Sequence, residues 1–119
     1  MNIVSIYRLS DGHNKEKQKP EYAGKEDCLR VFTREFSNDN LILFADNVKE
    51  ETFDMAKKYV KEKNIYLTNF GNTGTFLASW QMAYTIAQNV SDDTIFYLVE
   101  DDYIHRRGAK DILVEAFRD

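Results

Sequence analysis

The chain has 119 residues, 43% hydrophobic and 30% charged, with a formal charge of −4; this suits one soluble globular domain with a single core. The charge balance lacks the basic footprint of a nucleic-acid binder, and no apolar run approaches the roughly 20 residues of a membrane-spanning helix. The N-terminus carries no signal-peptide pattern, and the single Cys28 cannot form an internal disulfide, so a cytoplasmic location is expected.

In chain order, Asn2 to Leu9 is short, β-branched and aromatic, and reads as a strand ending at the turn cluster Ser10-Asp11-Gly12. A polar loop from Lys15 to Gly24 holds the only proline. Cys28, Leu29, Phe32 and Phe36 recur at helical spacing and predict a helix over about 25–36. Asn40 to Ala45 is a compact apolar run of the kind found in strands buried on both faces. A second helix is expected to carry Phe53, Ala56, Tyr59 and Val60 on one stripe, with Asn47 and Glu50 as its capping pair. Ile65 to Thr68 suggests a short third strand and residues 69–74 a turn. A long helix over about 75–89 should bury Phe76, Leu77, Trp80, Ala83, Tyr84 and Ala87. Thr94 to Val99 is the clearest strand, and a last helix from about Gly108 should use Ile112, Leu113 and Phe117. Strand and helix thus alternate throughout, which favours a mostly parallel sheet with helices on both faces. There is no internal repeat and no sign of a domain boundary.

Open parallel sheets bind ligands beyond the carboxyl ends of their strands. The residues there are Tyr7, Arg8 and Ser10-Asp11-Gly12 after the first strand, and Asp46 and Asn47 after the second. Gly71-Asn72-Thr73-Gly74 follows the third and Glu100-Asp101-Asp102 the fourth. Three adjacent carboxylates repel unless they share a positive charge. A hard divalent cation, Mg²⁺ or Mn²⁺, would supply it and leave positions open for phosphate oxygens. The plainer alternative is that acidic residues end the strand and begin a turn. Asp46 equally fits a helix cap, and the Gly71/Gly74 pair a tight turn before a helix whose N-terminus could face an anion. His13, His105 and Cys28 lack zinc-ligand spacing. Arg106 and Arg107 fit solvated surface or a phosphate neighbour.

Taken together, three stretches resemble the A-type nucleotide-diphospho-sugar glycosyltransferases. The stretch from Leu41 to Tyr59, LILFADNVKEETFDMAKKY, is similar to that family's second strand and helix. Asn69-Phe-Gly-Asn-Thr-Gly74 looks like its Asn-x-Gly-Asn-x-Gly turn, and Ile95-Phe-Tyr-Leu-Val-Glu-Asp-Asp102 like its strand ending in the DxD motif. The resemblance runs in order over about 3–102. It implies a three-layer α/β/α fold of Rossmann-like, nucleotide-diphospho-sugar transferase type. It also implies binding of a UDP- or GDP-sugar through Mn²⁺ or Mg²⁺ and transfer to a glycan or other acceptor. Residue by residue, Tyr7 and Arg8 would line the nucleotide pocket and Asp46 would hydrogen-bond the base. Asn72 and Gly74 would border the nucleotide or sugar, Glu100 would take the first acidic place near the ribose, and Asp102 would be the principal metal ligand beside Asp101. Glu100 departs from the usual Asp by one carbon. The family's acceptor half and catalytic base follow the acidic motif, so residues 1–119 read as a single donor-binding domain without that half. No catalytic residue is assigned, and an exposed sheet edge leaves a homo-oligomer open.

Other readings share the pattern. A non-catalytic nucleotide- or metal-binding module would have the same fold. A receiver-type signalling domain would place acidic residues after the first strand, where Arg8 stands. A sugar nucleotidyltransferase would want a glycine-rich basic loop there, for which Ser10-Asp11-Gly12 is a poor match.

Overall fold

A computed structural model of the chain describes residues 2–11 and 24–118. The expected polar loop up to residue 23, His13 and Gly12 lie outside these residues. The element order is β1 (Asn2–Ser10), α1 (Lys25–Glu35), β2 (Leu41–Asp46), α2 (Glu50–Lys57), β3 (Ile65–Thr68), α3 (Gly71–Ala87), β4 (Thr94–Glu100) and α4 (Ala109–Ala116). The four strands form one all-parallel sheet in the order β3-β2-β1-β4. The arrangement is compatible with a Rossmann-like fold.

The topology follows from handedness. From β1 the chain steps outward through β2 to β3, and right-handed crossovers put α1 and α2 on one face of the sheet. The return to β4 reverses direction, so α3 lies on the opposite face. α4 then packs back on the first face, where Ala109, Leu113 and Val114 touch the larger core.

Period-two alternation divides the apolar side chains between the two faces. Ile3, Tyr7, Leu9, Leu41, Leu43, Ala45, Ile95 and Val99 face α1 and α2, against Leu29, Phe32, Phe36, Ala56 and Val60. Rings stack within that layer: Phe32 lies 4.7 Å from Phe36 and 5.0 Å from Tyr7, centroid to centroid. The other face is thinner. Ile6, Phe44 and Ala83 form its buried centre, with Ile42, Ala78, Met82, Phe96 and Leu98 partly buried around them.

Four local expectations need correction. The Asn47–Glu50 capping pair does not form: Asn47 turns the chain at φ 52°. The N-terminus of α2 is held from β1 instead, because Asp11 accepts from the Lys49 amide at 2.6 Å and the Thr52 hydroxyl at 2.8 Å. α3 begins at Gly71 rather than Thr75, so most of the expected turn is the helix's first turn. Its buried stripe is Thr75, Ser79 and Ala83, while Phe76, Leu77, Trp80 and Tyr84 are 46%, 61%, 57% and 70% exposed. In α4, Leu113 packs inward as expected, but Ile112 and Phe117 face solvent.

Candidate functional site

All of the residues singled out for the site lie at the carboxyl edge of the sheet, but strand alternation sends them to different faces. β1 and β4 are the neighbours between which the strand order reverses, and Arg8 pairs in register with Glu100. Register partners in a parallel pair project to the same side. Arg8 Nη2 therefore donates to Glu100 Oε1 on the α3 face. Arg8 Nη1 also donates to the Asn72 carbonyl oxygen at 3.2 Å, and the guanidinium lies 5.4 Å from the centre of the Phe76 ring. One cation thus ties β1, β4 and the first turn of α3 together. Beside it opens a cleft of about 380 Å³ lined by Arg8, Phe76, Tyr97, Leu98, Val99, Glu100 and Tyr103.

Asp101, one residue beyond Glu100, goes to the other face. Its Oδ2 accepts from the Ser10 amide at 2.9 Å and from Lys25 Nζ at 2.7 Å, which pins the start of α1 to the ends of β1 and β4. Asp102 is exposed and has no hydrogen bond or ion pair among the described residues. The three consecutive carboxylates therefore do not converge. Among the described residues no group of three or more His, Cys, Asp or Glu side chains could enclose a metal ion. Of the three, Asp102 is the one whose carboxylate is left uncommitted by the fold and so could take part in holding a cation.

Asp46 is buried, 2% exposed, and its carboxylate is committed within the fold. Oδ1 accepts from the Thr68 hydroxyl at 2.7 Å and the Phe70 amide at 2.6 Å, and Oδ2 from the Gly71 amide at 3.0 Å. The N-terminus of α3 does face an anion, as its sequence suggested, but the anion is Asp46. Its charge satisfies the helix's open N–H groups and complements the dipole. With the Asn47 side-chain amide also 3.4 Å from Oδ2, these contacts commit the carboxylate to the fold rather than to the base-binding role expected of it.

Tyr7 is likewise core rather than pocket. It is fully buried against Phe32, on the face opposite Arg8. Its hydroxyl has no hydrogen-bond partner among the described residues, and burial together with the nearby Asp101 charge raises its pKa far above the usual phenol value. Gly74 lies inside α3, and a Cβ there would come within 2.7 Å of Phe70 Cβ. The glycine lets Phe70 fold over the helix start rather than bordering a ligand. Asn72 does reach the edge, through its contact with Arg8.

Arg8, Asn72 and Glu100 are therefore brought together, Asp102 stands beyond the edge, and Tyr7, Asp46, Gly74 and Asp101 hold the scaffold. Sequence reasoning missed Phe76 and Tyr103 as cleft walls and Lys25 as the partner of Asp101. Counting alternate residues from Val99 would have separated Glu100 from Asp101; no sequence signal marked Tyr103. Among the described residues, the side chains of Arg106 and Arg107 make no hydrogen bond or ion pair with the acidic residues.

Comparison of the chain with protein-family models, with curated proteins and with solved structures gives no match.

Proposed function

We propose that this chain binds a nucleoside diphosphate, as the UDP or GDP portion of a nucleotide-sugar, across the carboxyl edge between β1 and β4. On this reading it is the donor-binding domain of a metal-dependent glycosyltransferase that passes the sugar to a glycan or other acceptor. The observation that carries the reading is the cleft at the point where the strand order reverses, the usual ligand crevice of open α/β sheets. Phe76 and Tyr103 offer flat apolar walls for a base or ribose, and Arg8 offers donors beside them. Asp102 lies beyond the same strand end and would hold Mn²⁺ or Mg²⁺ against the diphosphate. The ion would neutralise charge developing on the departing nucleoside diphosphate. Arg8 would orient the ligand with its remaining donors while Glu100 fixes the guanidinium.

A second reading, a nucleotide-binding module without transferase chemistry, is favoured by one observation. Asp46, Glu100 and Asp101 are each engaged in contacts that hold the fold or position Arg8, so among the described residues lining the cleft there is no unengaged carboxylate to act as a base.

Calorimetric titration of UDP and GDP, each with and without Mn²⁺, tests the proposal. One nucleotide should bind in a Mn²⁺-dependent manner, with Asp102→Ala weakening it about tenfold or more (about 1.4 kcal/mol). Binding of neither nucleotide under any metal condition would remove the donor-site reading. Nucleotide binding without turnover of any UDP- or GDP-sugar, hydrolysis included, would favour the module.

A further inference from the structure

Helix α3 carries no charge on any side and is apolar over most of its surface. None of its 17 residues, GNTGTFLASWQMAYTIA, is charged, although 30% of the chain is. Helices of this character are normally covered on all sides. Here one stripe packs on the sheet through Thr75, Ser79 and Ala83, and another presents Phe76, Leu77, Trp80 and Tyr84 outward, each close to half exposed or more. These four side chains offer roughly 500 Å² of apolar surface, at the upper end of what a monomer leaves bare.

We infer that this face is the interface of a homodimer in which α3 packs antiparallel against α3 of a second copy about a twofold axis at Trp80. Three observations select a second copy as the occupant. The exposed aromatics are symmetric about Trp80: Phe76 and Tyr84 lie four residues to either side, whereas Leu77 has no exposed counterpart because Ala83 faces the sheet. An isologous contact needs that property, because residue i must meet residue j while j meets i. At 1.5 Å per residue, Phe76 and Tyr84 each stand about 6 Å along the axis from Trp80, so an antiparallel pair sets Phe76 of one copy on Tyr84 of the other. The absence of charge is the second observation. A face bearing part of the chain's net charge of −4 would repel its own image, whereas this one meets its image without like-charge repulsion. Area is the third. A standard interface takes roughly 800 Å² from each partner; the four side chains supply most of it, and the exposed, uncharged Thr73, Gln81 and Gln88 form the rim.

The interface would also touch the cleft, since Phe76 belongs to both. Tyr84 of the second copy would sit at the cleft's outer rim.

Sedimentation equilibrium across the micromolar range is the test. The full chain should show twice its 14.0 kDa mass. The double variant F76E/Y84E sets like charges opposite each other in the proposed pairing and should be monomeric, its dissociation constant raised at least about 100-fold. F76K/Y84E sets opposite charges in register and should restore the dimer. Both positions are exposed in the single chain, so far-UV circular dichroism should be unchanged. A chain that is monomeric throughout, or a dimer indifferent to F76E/Y84E, overturns the inference. So does a monomer whose Trp80 emission shifts on adding neutral phosphatidylcholine vesicles, because the face would then belong to a lipid surface.

Discussion

The two faces of the sheet are built to different standards. On the α1 and α2 side, thirteen buried apolar residues form one continuous cluster, with Phe32 touching Tyr7, Phe36, Tyr97 and His105. On the α3 side the buried cluster is Ile6, Phe44 and Ala83, and the helix above it turns large aromatics away from the sheet. The cleft opens on this second side. Stability is concentrated where the sheet is thickly covered, and the surfaces open to a ligand or partner lie where it is thinly covered. Such a division separates what a substitution costs in folding from what it costs in binding.

The largest test of that contrast is Phe32→Ala. Removing a fully buried ring should cost about 3–5 kcal/mol in urea unfolding, a large fraction of the stability of a domain of this size. Asp46→Ala comes next. It strips three short hydrogen bonds and the anion at the α3 N-terminus, for an expected loss of about 2–3 kcal/mol. If Asp46→Ala instead left stability intact and abolished nucleotide binding, the scaffold role assigned to Asp46 would be wrong.

A smaller effect should appear as pH dependence, and only through the thickly covered face. His105 Nε2 lies 2.7 Å from the Tyr97 hydroxyl, its Nδ1 is buried without a hydrogen-bond partner among the described residues, and the ring packs edge-on against Phe32 and Phe36. Burial lowers its pKa below the ordinary imidazole value, with Glu35 opposing. The unfolded chain therefore takes up the proton first as pH falls through about 6.5. The stabilisation is complete above that value and declines below it. Thermal unfolding of His105→Phe should show a flatter decline between neutral and mildly acidic pH than the parent chain; equal slopes would remove His105 as the cause. The smallest effect is expected from Trp80→Ala at high dilution, within about 0.5 kcal/mol of the parent. A loss comparable with that of Phe32→Ala would erase the contrast between the faces.

Much of the fold was legible before any coordinates. Period-two runs such as TIFYLV and the helical spacing of Cys28, Leu29 and Phe32 placed four strands and four helices in the right order. The rule that parallel crossovers are right-handed anticipated helices on both faces. What failed was inference about which side of an element faces in. Phe76, Trp80 and Tyr84 have the spacing of a buried stripe, but spacing carries no direction, and the small residues Thr75, Ser79 and Ala83 allow α3 to lie close on the sheet. At the site, location was readable and partnership was not. Asp46, Glu100, Asp101 and Asp102 all reach the carboxyl edge, yet only register and distance reveal that Asp46 belongs to α3, Glu100 to Arg8 and Asp101 to Lys25. The cap from Asp11 to Lys49 and Thr52 spans about 40 residues of sequence and follows no local pattern.

The central claim is that the thinly covered face, at the edge between β1 and β4, receives a metal-bound nucleoside diphosphate. Paramagnetic broadening of backbone amide resonances tests it most directly, with Mn²⁺ added alone and then with UDP or GDP. The account predicts that one nucleotide concentrates the broadening on Asp102 and Tyr103, extending to Arg8 and Asn72, and that Asp102→Ala removes it. Broadening that is unchanged by either nucleotide, or centred away from that edge, would contradict the account.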